Sequence, residues 1–90
     1  MFGLFKSKED KFRERIRKEF DNTIKEIEQK NKDMINDPMF GGLLVEGAIG
    51  TLYQSLKEDS MLWLLAEQLG LDYDKIIEEE CRIAIKKYLK

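Results

Sequence analysis

The sequence predicts an all-α fold, a small four-helix bundle over residues 1–90 whose last two helices meet in a hairpin across a glycine turn. Three observations carry that expectation. Apolar residues recur at intervals of three and four along most of the chain, the spacing that gathers them on one side of a helix. No stretch alternates apolar and polar residues as a half-buried strand would. The breaks between the apolar periods hold Asn, Asp, Pro, Ser and Gly, the residues that begin and end helices. Ninety residues, 42% hydrophobic and 38% charged, suit one domain able to bury a core, with residues 1–6 as a flexible or docking segment.

Phe12, Ile16, Phe20, Ile24 and Ile27 form the apolar stripe of a first helix expected from about Ser7 to about Lys32. Ser7 stands where its hydroxyl can cap the free amides, with Asp10 three residues on. At ~1.5 Å per residue such a helix is about 40 Å long, so its far end needs cover. Asn31, Asp33, Asn36, Asp37 and Pro38 break the period, with Asp37 as a cap and Pro38 at the first position of a second helix reaching Lys57. That helix is apolar nearly all round: Met39, Phe40, Leu43, Leu44, Val45, Ala48, Ile49, Leu52, Tyr53 and Leu56 leave a strip with only Glu46, Gly50 and Lys57. The pattern belongs to the middle of a bundle, with Gly47 and Gly50 accepting a helix-propensity cost so that a neighbouring backbone can approach. A phosphate-cradling loop is excluded there, because no strand precedes the glycines and no Lys adjoins the last of them.

Asp59 or Ser60 caps a short third helix ending at Leu69, Gly70 closes it, and Asp72 caps a fourth that can run to Lys90. Tyr73, Ile76, Ile77, Cys81, Ala84 and Tyr88 form the inner face of the fourth. Cys81 is the single cysteine, so it reads as a small core residue with no internal disulfide to make. Leu65, Ala66, Leu69, Gly70, Leu71 and Ile76 fall where a helix-turn-helix DNA reader places its packing residues, and Leu62 to Cys81 resembles that family. The resemblance implies two helices packed across a glycine turn. It does not extend to DNA, because the positions that would face phosphates and bases are Asp72, Asp74, Glu78 and Glu79, acid where base is needed. Those four are candidates for contact with a protein partner instead.

The net charge of −2 hides a segregation. Residues 1–32 hold ten Lys or Arg against seven Asp or Glu, residues 33–80 two against eleven, and residues 81–90 four against none, leaving +3, −9 and +4. Such a chain favours folding its basic ends against its acidic middle, or pairing two copies antiparallel.

The absence of histidine removes the usual general base and the commonest metal ligand. No two acidic residues stand three apart, as the carboxylate bundles that hold metal pairs require. No enzyme activity, cofactor or metal is therefore expected. Two features call for more than a solvated surface. Glu80 projects into the apolar face of the fourth helix among Tyr73, Ile76 and Ala84, with Lys87 two turns further on the same line, so both are candidate buried charges. Glu80 is either paired, with Lys87 or a base of the first helix, or placed where the face is open; the functional alternative is a recognition or switch residue. Phe2, Leu4 and Phe5, together with Trp63 and Leu64 on the side of the third helix away from Leu62, Leu65, Ala66 and Leu69, are apolar residues without an obvious cover and point to self-association.

The function expected is that of a non-enzymatic adaptor or inhibitor, homodimeric, presenting an acidic face to a protein partner. A cytoplasmic setting is expected too, from the lack of an apolar run of about 18 residues and of a secretion signal at the start. The alternative is a peripheral membrane protein anchored by its first helix, where Phe2, Phe5, Phe12, Ile16 and Phe20 are flanked by Lys8, Lys11, Arg15 and Lys18. A nucleic-acid binder comes third.

Overall fold

Ser7 begins the first helix as its side chain predicts. In the computed structural model, which describes residues 7–89, its Oγ accepts the Asp10 amide at 3.0 Å and α1 runs Lys8–Lys30. Phe12, Ile16, Phe20 and Ile24 are its buried stripe. Asn31 ends it, donating both its backbone and its side-chain amide to the Ile27 carbonyl. A single turn, α2 (Lys32–Ile35), occupies the break that the sequence marked only as punctuation, so the described residues hold five helices where four were expected. Asp37 then organises the next start: its Oδ1 accepts the Met39 and Phe40 amides at 2.8 and 3.0 Å, ahead of α3 (Phe40–Lys57). Those two donors hold its carboxyl below the usual carboxylate range.

Asp59 caps α4 (Ser60–Gln68) by accepting the Leu62 amide at 3.0 Å. Gly70 adopts φ +72°, which lets its own amide reach the Glu67 carbonyl and the Leu71 amide reach the Ala66 carbonyl, so the last turn of α4 is closed in both bonds of a Schellman cap. Asp72 caps α5 (Tyr73–Tyr88) through the Lys75 amide.

α1, α3 and α5 each pack against the other two around one core that includes Ile16, Phe20, Ile24, Ile49 and Ile77. α4 joins it by packing on α5 and burying Leu62 and Ala66. The Tyr73 ring meets Phe12 edge-on, centroids 6.0 Å apart, and its hydroxyl donates to the Leu56 carbonyl, which ties the start of α5 to the end of α3. Burial pushes this phenol up to about 12. Its folded pKa then lies above the ordinary value near 10, so its contribution to stability is whole below about pH 10 and is lost as pH rises toward 12. The protein is expected to lose about 1.5 kcal/mol from this group between pH 10 and 11.5. Denaturant melts of the protein and of Tyr73→Phe across that range check it; parallel losses in both would show that Tyr73 is not the cause.

The second predicted helix, α3, is not the enclosed centre. It buries Gly41, Val45, Ile49 and Leu56, while Met39, Phe40 and Leu43 just before and along it stay exposed, Leu43 at 59%. The reason is thickness. The described residues span 42 × 34 × 20 Å, and a slab two helix diameters deep, at about 10–12 Å each, has no position surrounded on every side. The close approach expected at Gly47 and Gly50 lies elsewhere as well: a Cβ at either would meet nothing within 4 Å, whereas one at Gly41 would lie 2.1 Å from the Ile35 carbonyl oxygen. Gly41→Ala is therefore expected to destabilise by about 2 kcal/mol and Gly47→Ala or Gly50→Ala to stabilise by about 0.5–1 kcal/mol. Equal losses for all three in urea melts would contradict this placement.

Candidate interaction surface

The four acids singled out on the last hairpin lie at the start of α5, and three of them are engaged within the chain. Asp72 is the cap. Glu78 accepts Arg82 Nη2 one turn along, and Glu79 accepts Arg13 Nη2 of α1 at 2.7 Å, which holds the Glu79 carboxyl below its ordinary range. Asp74 stays exposed. The acidic face is thus narrower than its residue count suggests.

Glu80 is buried, 1% exposed, with its charge met by α1. Arg17 grips it as a fork, Nε to Oε1 at 2.8 Å and Nη2 to Oε2 at 3.0 Å, and Arg13 Nη1 adds a contact to Oε2 at 3.3 Å. A bidentate guanidinium satisfies both carboxylate oxygens, which is what burial of the charge demands. Of the two partners the sequence allowed, the base of the first helix is the one present. Lys87 is a correction: its side chain is exposed and reaches Asp21 at 3.2 Å, beside the Tyr88 hydroxyl that donates to the same carboxylate. The pairs Arg13–Glu79, Arg17–Glu80 and Asp21–Lys87 advance together along both helices, so α1 and α5 run parallel. Two turns beyond Glu80, α5 has reached the level of Asp21, where the contact between the helices lies at the surface.

α4, like the start of α3, leaves apolar surface over. Its nine residues, SMLWLLAEQ, carry apolar side chains around most of the helix, a composition that ordinarily goes with burial. Yet among the described residues α4 packs chiefly on α5, and Met61 (74%), Leu64 (49%), Trp63 (44%) and Leu65 (39%) remain exposed. Leu65 corrects the expectation that the hairpin buries it. At 100° per residue Met61, Leu64, Leu65 and Leu69 share one flank, while Trp63 lies on the other with Glu67. Leu65 and Leu69, with Phe12 and the stems of Lys8, Lys11 and Arg15 from α1, line a groove of about 270 Å³. The surface is therefore apolar in the middle and basic beside the C-terminal half of α4. Glu58 and Asp59, against Lys57 beside them, leave the other end net acidic.

A larger groove, about 580 Å³, runs between α1 and α3, lined by aliphatic residues and the hydroxyls of Thr23, Thr51 and Ser55. Among the described residues no charged side chain lines it to orient a ligand. Cys81 is half-buried beside α3, and burial pushes its thiol up, away from the reactive thiolate. Phe12, Ile16 and Phe20 turn inward, so the apolar stripe that a membrane-lying first helix would offer is committed to the core, with Lys8, Lys11, Arg15 and Lys18 left outside. Phe2, Leu4 and Phe5 lie outside the described residues. Among those described, no helix is long and apolar enough to cross a membrane, and no three His, Cys, Asp or Glu residues group as a metal would need.

The chain matches no family model, no curated protein and no solved structure. What it can do rests on its own residues. Trp63 and Leu64 were legible as an exposed pair. Met61 and the groove were not, although the all-round apolar composition that drew attention to α3 is present in α4 as well.

Proposed function

We propose that this protein is a non-enzymatic helical interaction module, of adaptor or inhibitor type, that docks a protein partner on α4. The observation that carries this reading is the exposure of four large apolar side chains, Met61, Trp63, Leu64 and Leu65, on one nine-residue helix. Exposed apolar surface of that density raises the free energy of a chain in water and is lowered by a partner. On this reading α1, α3, α4 and α5 are the expected four-helix bundle, α2 is a turn between two of them, and α4 with α5 is a helix-turn-helix-like hairpin. The member that would enter DNA, α5, keeps acid on its outer side, while the first member offers the contact. Asp74 and the paired Glu78 and Glu79 then border the docking hairpin.

A photo-crosslinking side chain in place of Leu64, in the full chain expressed in its source cell, tests the proposal. Discrete protein adducts at Leu64 that are absent when the same group replaces Gln29, an exposed position on α1, are the expected result. The same adduct pattern from both positions, or none from Leu64, would remove it. A second reading draws on the basic side chains Lys8, Lys11 and Arg15 beside exposed Leu65, a pairing that suits an anionic lipid surface. Salt-sensitive binding to anionic vesicles that Leu64→Glu abolishes would favour that surface over a protein.

A further inference from the structure

Resting on the reading of α4 as a docking surface, we infer that its occupant is α4 of a second copy of this chain, lying antiparallel, with each copy's Met61 seated in the other's groove. The surface is polar along its own axis. Glu58 and Asp59 stand at its start, and Lys8, Lys11 and Arg15 stand around Leu65 and Leu69 toward its end. A strip that is acidic at one end and basic at the other repels a parallel copy and attracts an antiparallel one, since a twofold axis brings each end against its opposite.

The register agrees with the charge. The groove is centred between Leu65 and Leu69, about the level of Glu67, and the most exposed large apolar residue, Met61 at 74%, lies ahead of that level by about 9 Å at ~1.5 Å per residue. A twofold axis passing at Leu64 sets position 61 of one copy level with position 67 of the other. That one operation fills both grooves, packs Leu64 on the partner subunit's Leu64, and carries Glu58 and Asp59 toward Lys8, Lys11 and Arg15 of the partner subunit. Met61 suits the task because an unbranched thioether adapts to an irregular groove and packs well on an aromatic floor, here Phe12.

Sedimentation equilibrium of the full chain at about 50 μM, where a micromolar dimer is populated, should return the mass of two chains. Met61→Lys puts a base into a groove already lined by Lys8, Lys11 and Arg15 of the partner subunit, and is expected to raise Kd by at least about 50-fold with the melting temperature of the monomer unchanged, because Met61 is 74% exposed within its own chain. Lys11→Glu and Glu58→Lys should each raise Kd by about tenfold, since each reversal occurs twice across the axis. Mixing those two variants restores both attractive ends at once and should return Kd to within about threefold of the original. A monomer at 50 μM, a dimer indifferent to Met61→Lys, or a mixture no tighter than its parts would each overturn the antiparallel pairing. A monomer whose Leu64 crosslinks to a different protein would do so while leaving α4 as a docking surface.

Discussion

Arg13→Ala combined with Arg17→Ala is expected to destabilise the protein by about 3–5 kcal/mol, because it leaves the Glu80 carboxylate buried without a partner. Arg17→Ala alone should cost less, about 2 kcal/mol, since Arg13 still reaches one oxygen at 3.3 Å and half of Arg17's own side chain already lies in water. Glu80→Gln keeps the shape and should cost about 1–2 kcal/mol. The loss disappears when the whole cluster goes: Arg13→Met, Arg17→Leu and Glu80→Leu together are expected to come within about 1 kcal/mol of the original stability, or above it, since the charges left behind, Glu9 and Glu79, reach water. Urea melts followed by Trp63 fluorescence measure all four. A double arginine variant that loses under about 1 kcal/mol would show that water reaches Glu80 and that the cluster is not holding a buried charge.

Ile77→Asp is expected to abolish cooperative unfolding altogether. Ile77 is fully enclosed within the core that α1, α3 and α5 share, and an unpaired carboxylate there costs more than the roughly 5–10 kcal/mol by which a domain of this size is stable. Ile77→Ala should leave a foldable chain weakened by about 3–4 kcal/mol. The comparison along α3 is as informative: Ile49→Asp should unfold the chain like Ile77→Asp, whereas Leu44→Asp, half-buried at the edge of the groove toward α1, should be tolerated. Had α3 been enclosed, the two would behave alike. Loss of the cooperative transition in Leu44→Asp, read by circular dichroism on heating, would restore α3 to the centre.

The parts of this fold that were legible in the sequence are those decided within one turn of chain. Ser7, Asp59 and Asp72 cap because a short side-chain oxygen meets an amide three residues on, and Gly70 closes α4 because the backbone there must take positive φ. Burial is decided elsewhere. Leu43 and Ile49 have the same local signature, and only the packing of α1 and α5 on one side of α3 separates an exposed residue from a buried one. The partner of Glu80 was legible as a class and not as residues, since choosing Arg13 and Arg17 over Lys87 requires knowing that α1 and α5 run parallel in that register. The charge blocks show the same limit. Arg13 with Glu79 joins the basic start to the acidic middle as expected, whereas Lys87 finds Asp21, an acid inside the block counted as basic. Block totals do not see single residues.

The parallel pairing of α1 and α5 also sets an order of events during synthesis. Arg17 leaves the ribosome 63 residues before Glu80. At elongation rates of about 5–20 residues per second, that interval is about 3–13 s, long compared with the microseconds in which a helix forms. Throughout it the apolar stripe of α1 lacks α5, and α3, complete only once Lys57 is added, can shield one side for the last part of the interval. The nascent chain is therefore open to capture by chaperones, or by another unfinished copy, until α5 emerges.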